Sequence, residues 1–448
     1  MRRLGWGTAW ALSALVTALV GLSSGVQAQQ MGSGAGGIGA GTIPGTPFGG
    51  AIDPSLVPVR EGLQLIPSVS VGERYDSNVF FVPKRSGIDR GDFVSTAVPQ
   101  LRGYYVGESF TVNAMASAIG EYYAKNTTLN YVGANTGLAL DLSKLLNRWW
   151  QGATLTASDT YIYSPQAPAF LFGNLAGTNT NPYANGFQVG RATVSRNIVN
   201  TDLALPLTQT VSLLGSYSNG FLNYGNSDVS QPGRLIDSNF QTYAAGLGWK
   251  ASPQDLLSVN SVNADYDFTT QPASSYHTHG GIVGWEHTFS PFLTLKSQAG
   301  ATVVQRELAG VSSASLLVPV GDLALLWKDQ TTALTLSYAL GVSPSVQFQA
   351  QALRTHVVSV TLTQQTAIPE LMAVANLNYG RGSQVGSSAG ATLSYTSVMG
   401  TGGVVYKFTP ATFLGVHYSY SNIDNEFNGT TFAFDRHVAQ LSLTHAFY

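Results

Sequence analysis

From residue 61 to the end, one unit recurs: a polar–apolar alternating run, a tight turn, a second run, and a longer loop. Alternation at period two puts apolar side chains on one face of a strand and polar ones on the other. Hydrophobic residues make up 44% of the chain and charged residues only 10%, where a soluble domain usually carries about 25% charge. After residue 30 no run of about 18 apolar residues occurs, so no transmembrane helix is available. Apolar residues that are abundant but never consecutive must line one face of a sheet. A sheet in lipid must close, because an open edge leaves backbone groups unpaired. The expectation is an all-β chain: a closed antiparallel transmembrane β-barrel of about 18 strands, with 16 or 20 as alternatives. A soluble β-sandwich would show shorter strands and no aromatic girdle.

The ends of the chain sharpen this. Met1-Arg-Arg is a positive start, Leu4 to Leu22 is apolar without charge, and Val26-Gln27-Ala28 resembles a small-residue cleavage site. Residues 1–28 therefore read as a signal peptide. Residues 29–60, rich in Gly, Ala and Pro, read as a flexible periplasmic leader. Residues 61–448 read as one outer-membrane barrel, which places the chain in a Gram-negative bacterium. The last run, Arg436-His-Val-Ala-Gln-Leu-Ser-Leu-Thr-His-Ala-Phe-Tyr448, closes on an aromatic pair. Such a C-terminal strand is what the barrel-assembly machinery reads, with outer-membrane lipid as the other partner. Leu441, Leu443 and Phe447 share a register, so Tyr448 lies one residue beyond the usual terminal aromatic.

Short turns are expected at Val106-Gly-Glu-Ser109, Leu205-Pro206, Ser252-Pro253, Ser290-Pro291, Lys328-Asp-Gln-Thr331, Ile368-Pro369 and Thr409-Pro410, with a slightly longer link at Leu142–Arg148. Proline, common among them, presets φ and cannot continue a ladder. Between these lie longer links, including 76–91, 164–185, 223–237, 384–395 and 425–435. Short periplasmic and long external connections are the asymmetry of a bacterial barrel. The expected strands include 149–163, 186–200, 314–328, 396–408, 412–424 and 436–448. Tyr104, Tyr105, Tyr122, Tyr123, Tyr406, Trp149, Trp150, Trp249 and Trp327 fall near strand ends and suit an interfacial girdle.

Alternation also assigns faces. Leu414, Val416, Tyr418 and Tyr420 share one face of their strand, with Gly415, His417, Ser419 and Ser421 on the other. Polar faces point to a wet lumen, which places Asp265, Asp267, Glu286, Lys296, Arg306 and Asp322 inside as pore-lining charges. Their mixed signs suit polar solutes without strong ion selectivity. The longest link, Ser164–Asn185, carries Phe170, Leu171 and Phe172, an apolar run expected to fold inward as a constriction.

Pro67-Ser-Val-Ser-Val-Gly-Glu-Arg74-Tyr75-Asp76-Ser77-Asn78-Val79-Phe80 resembles the opening strand of the β-barrel porin type 2 family, in which the strand runs into an aromatic-Asp-x-Asn-hydrophobic stretch. The stretch Tyr406 to Ser421 (Tyr-x-Phe-Thr-Pro, then Leu-x-Val-x-Tyr-x-Tyr-Ser) is also similar to that family. The resemblance covers roughly residues 61–448 and marks Arg74, Tyr75, Asp76 and Asn78 as its first-strand motif. It implies a barrel often accompanied by exopolysaccharide synthesis or secretion genes, with no catalytic residues to carry over.

Other chemistries find little support. A net charge of −2 argues against nucleic acid, and with no cysteine there is no thiolate metal site. No cofactor signature occurs. His277 and His279 share a strand face that two metal ligands could use, although polar residues near a loop are the plainer reading. Asp265 and Asp267 share a face, with Glu286 on the next strand, as a rim hydrolase would need. Pore-lining carboxylates paired with Lys296 and Arg306 explain them more simply. The sequence thus supports a non-enzymatic channel for polar solutes or a polysaccharide. The alternative is a structural barrel whose loops plug the lumen and bind a partner.

Overall fold

A computed structural model describes residues 61–83, 89–164, 192–227, 237–269, 274–308, 311–344, 352–385, 393–427 and 429–447. The leader residues 1–60 and the Phe170-Leu171-Phe172 stretch lie outside them. The strands are β1 (Gly62–Asp76), β2 (Asp92–Val106), β3 (Thr111–Tyr123), β4 (Tyr131–Asp141), β5 (Thr154–Ser164) and β6 (Ala192–Pro206). Next come β7 (Val211–Ser227), β8 (Ser238–Lys250), β9 (Asp255–Phe268), β10 (Ser274–Ser290), β11 (Leu293–Leu308) and β12 (Val311–Lys328). The last are β13 (Thr332–Pro344), β14 (Ala352–Gln365), β15 (Leu371–Gln384), β16 (Leu393–Thr409), β17 (Thr412–Phe427) and β18 (Thr430–Ala446). Each pairs antiparallel with its sequence neighbour, and β18 returns to β1 to give a closed 18-strand barrel.

The short turns gather at one end of the barrel, its lower end, and the long links gather at the upper end. Outward side chains over the lower and middle wall are apolar and exposed: Leu63, Leu65, Val69, Val71, Val259, Val283, Leu441 and Leu443. Trp149, Trp150, Trp249, Trp285, Trp327 and Phe447 ring the lower edge, and Tyr75, Phe93, Tyr122 and Tyr163 stand nearer the upper end. An exposed apolar belt between aromatic rings is the exterior of a barrel bathed in lipid. Tyr104 and Tyr123, expected in the girdle, instead face inward and are buried.

Several boundaries move. The run expected at 186–200 is strand from Ala192 to Pro206, so Pro206 ends a strand rather than making a turn. The Leu142–Arg148 link closes as a one-turn helix α1 (Ser143–Leu146), and β5 starts only at Thr154. The link expected at 425–435 is mostly strand, because β17 and β18 stay paired up to Phe427↔Thr430. There Asp424 and Glu426 point outward while Ile423 and Asn425 are buried inside. Above the lipid the outer face meets water, so alternation persists with its polarity reversed.

Candidate conduction path

The lumen divides into two sectors. The first lies where β18 meets β1 and is filled by charge pairs. Arg74 on β1 grips the Glu121 carboxylate on β3 with two guanidinium nitrogens, Nη2 to Oε2 at 2.7 Å. The Tyr123 hydroxyl donates to the same carboxylate at 2.8 Å. Asp76, one residue pair further up, accepts from Arg436 of β18, Nε at 3.0 Å and Nη2 at 2.5 Å. All of these side chains are buried. Mutual pairing is what lets such charges leave water.

Asp76 also accepts the Asn78 backbone N–H at 3.0 Å, which starts an inward turn. Asn78 then holds that turn: its Oδ1 accepts from Val82 N at 3.1 Å, and its Nδ2 donates to the carbonyls of Val82 at 2.9 Å and Asp435 at 3.0 Å. Val79, Phe81 and Val82 are buried as a result, with the Arg436 guanidinium 4.7 Å from the Phe81 ring centroid. Phe81 sits at φ 55°, the left-handed region that a bulky side chain rarely adopts. The first-strand motif thus splits by alternation. Arg74, Asp76 and Asn78 lock the seam from inside, and Tyr75 faces out against Phe93, ring centroids 5.1 Å apart. Glu121 and Arg436, the partners of that motif, carried no signal in the sequence, because their pairing joins residues 47 and 360 positions apart.

The second sector, along β5 to β11, holds a cavity of about 610 Å³ near the lower end. Its lining includes Asp202, Ser216, Ser258, Asn260, Glu286 and Lys296. Lys296 Nζ stands 3.1 Å from Glu286 Oε2. Of the expected pore-lining charges, Glu286, Lys296, Arg306 and Asp322 are on the lumen face. Glu286 opposes Lys296, Arg306 opposes the buried Tyr276, and Asp322 opposes Gln298.

Asp265 and Asp267 are not on that face. The buried lumen residues of β9 are Ser258, Ala264, Tyr266 and Phe268, so the alternate positions Val259, Asp265 and Asp267 point outward. Along this strand the outer face passes from apolar to acidic as it climbs, and the inner face passes from polar to aromatic. Reading polarity as direction fails above that crossing. His277 and His279 share the outward face: His277 Nδ1 lies 2.7 Å from Asp265 Oδ1, and His279 Nδ1 lies 2.9 Å from Asn263 Oδ1. Asp265, Asp267 and Glu286 are therefore split across the wall and form no rim constellation.

Above the cavity the inner wall turns apolar. Ile198, Phe240, Tyr266, Phe268, Tyr276 and Val304 belong to one buried cluster. Phe240 and Tyr266 stack at 6.2 Å, and Tyr266 and Tyr276 pack at 5.4 Å.

No family model matches this sequence, and no curated protein does. Among solved structures the chain is similar to OccK3 (OpdO) of Pseudomonas aeruginosa, at 12% identity and TM-score 0.42, covering 86% of this chain and 96% of that one. The outer membrane protein OpdK from Pseudomonas aeruginosa aligns at 12% identity and TM-score 0.43, covering 86% of this chain and 99% of that one. OccAB3 of Acinetobacter baumannii aligns at 11% identity and TM-score 0.41, covering 86% and 99%.

Proposed function

We propose that the protein is an outer-membrane channel that passes a small polar solute by diffusion, without a covalent step. The observation that carries this reading is a cavity of about 610 Å³, lined by polar as well as apolar side chains, inside a closed barrel whose exterior is apolar. Hydroxyls, an amide and the Glu286–Lys296 pair can exchange hydrogen bonds with a neutral polar solute, and their mixed charge favours neither ion sign. The short-turn end would face the periplasm, with β18 as the strand presented to the barrel-assembly machinery. The family resemblance points to an exopolysaccharide as cargo. The locked sector beside β1 and the aromatic cluster above the cavity favour a short sugar unit or another small solute over a polymer in transit.

The packed sector also favours a second reading, a structural barrel that binds a partner at its upper rim. Single-channel recording in planar bilayers separates the two. Discrete conductance steps, with weak ion preference, are expected of the channel. A correctly folded barrel that stays silent at all voltages would leave the structural reading standing instead.

A further inference from the structure

The wall is incomplete between β12 and β13. Their ladder runs from Lys328↔Ala333 to Gly321↔Leu340 and stops. Above it, among the described residues, β12 continues to Val311 paired only with β11, and β13 continues to Pro344 paired only with β14. The sequence supplies a cause. Lys328 donates its N–H to Phe292 beside β11, while Asp329 donates toward Thr332 of β13. Odd-numbered residues of β12 therefore turn their backbone groups to β13. Pro319 is the odd position directly above the last rung, and it has no N–H to give.

The two edges have also separated sideways. Ser337 and Ser359 meet inside the lumen with hydroxyls 3.0 Å apart, so alternation puts Val342 and Ala352 on the outer face. Both instead pack with the cluster that holds Val304, Val318 and Tyr276 of the inner wall. The upper end of β13–β14 is tucked behind β12, so an overlap held by apolar contact replaces hydrogen bonds.

The ladder stops at lipid depth. Gly321 lies six residues above Trp327 of the lower ring, about 20 Å along a strand or roughly 15 Å in height at the usual tilt. The apolar belt of such a barrel is about 25 Å tall. Leu317, beside the free edge, faces outward and is 68% exposed. An apolar surface outside thus meets an apolar cluster inside across a packed overlap in which the described residues of β12 and β13 share no ladder.

We propose that the β12–β13 overlap is a lateral passage, through which the acyl chain of an outer-leaflet amphiphile enters the upper lumen. This inference rests on the membrane-embedded reading of the barrel but not on its conducting. The test uses the full barrel in phosphatidylcholine vesicles doped with a phosphatidylcholine that carries a diazirine at its chain end. After illumination, adducts are mapped by mass spectrometry. Adducts are expected on the inward Val304 and Val318 as well as on the outward Leu317 and Leu323. The chain has no cysteine, so a Val320→Cys/Gly341→Cys variant can be closed specifically with a short bismaleimide. Closure should abolish the Val304 and Val318 adducts and leave the Leu317 and Leu323 adducts unchanged. Should the double variant fail to assemble, Pro319→Val restores the missing donor and should deplete the inward adducts in the same way. Adducts confined to outward residues in the native barrel, or inward adducts that survive closure, would overturn the passage. Ion conductance of the same closed barrel reports separately on the channel.

Discussion

The barrel has two unusual seams, and they behave opposite to what topology alone suggests. β18 and β1 are the last and first strands and share no turn, yet they are riveted. Their ladder from Val438↔Asp76 to Ala446↔Ser68 is backed by Arg436–Asp76, by the neighbouring Arg74–Glu121 pair and by an inward turn bonded to Asp435 and His437. Backbones approach closely there. A Cβ on Gly72 would stand 2.6 Å from the Leu441 carbonyl oxygen, closer than any real Cβ sits. β12 and β13 share a tight turn, yet they part halfway up. Covalent neighbours need no side-chain lock to find each other, whereas the closing seam must pay the full loop entropy of a long-range contact. Locks therefore gather where closure is least assisted by the chain.

The largest expected effect breaks the firm seam. Arg74→Ala leaves Glu121 buried without its main counter-charge and should destabilise the barrel by about 3–5 kcal/mol, measured by urea unfolding in liposomes. Arg436→Ala, which strands Asp76, should behave alike. A loss below about 1 kcal/mol, the size of a surface pair, would mean that the lock contributes little and that the two seams do not differ in kind.

Next in size is a test that both seams lie in lipid. Leu443 on β18 and Leu323 on β12 point outward, 44% and 46% exposed. Arginine at either should cost about 2–4 kcal/mol if the site is near the midplane. Ser419→Arg, facing the lumen, should cost much less, and Val416→Arg, two strands from β1 on the outer face, should resemble Leu443→Arg. A tolerated Leu323→Arg would put the loose seam outside the bilayer and remove the contrast.

A smaller effect sharpens the difference in dynamics. Amides beside Gly321 and Leu340, the last rung of the loose ladder, should exchange hydrogen through local opening at a small fraction of the global free energy. Amides from Val438 to Ala446 should exchange only near the global limit. Equal protection at the two seams, measured by exchange mass spectrometry, would show that the overlap is as rigid as the lock.

Much of this was legible in the sequence, and the failures share a cause. Alternation located the barrel, the strand count and the faces of Val416, Leu443, Glu286, Lys296, Arg306 and Asp322, because within the lipid belt polarity and direction coincide. It misplaced Asp265 and Asp267 and ended β17 too early, because above the belt the outer face is wet and the inner face aromatic. It also missed the halted ladder at Pro319, since one proline in an apolar run does not reveal which neighbour its missing donor would have served. The Arg74 motif was visible as a resemblance, but its partners Glu121 and Arg436 required the folded register.

The smallest effect concerns the base of the loose seam. Asp329 sits in the turn between β12 and β13, partly exposed, and its carboxylate is held down to about 2. Backbone N–H groups of Thr331 and Thr332 donate to it at 2.8 Å each, with help from the Trp327 indole at 3.2 Å. These donors favour the charged form. An unfolded Asp titrates near about 4, so the folded value is depressed. The stabilisation it confers is therefore full above about pH 4 and lost as pH falls through about 2. Since the group is partly exposed, solvent screens it and the effect on global stability is small. Trp327 should report it locally. The fluorescence difference between the native barrel and a Trp327→Phe variant should change between about pH 4 and pH 2, and Asp329→Asn should flatten that change. A transition centred near 4 instead would mean that the turn does not hold the carboxylate. The foot of the parting strands would then be anchored by the backbone ladder without help from this turn.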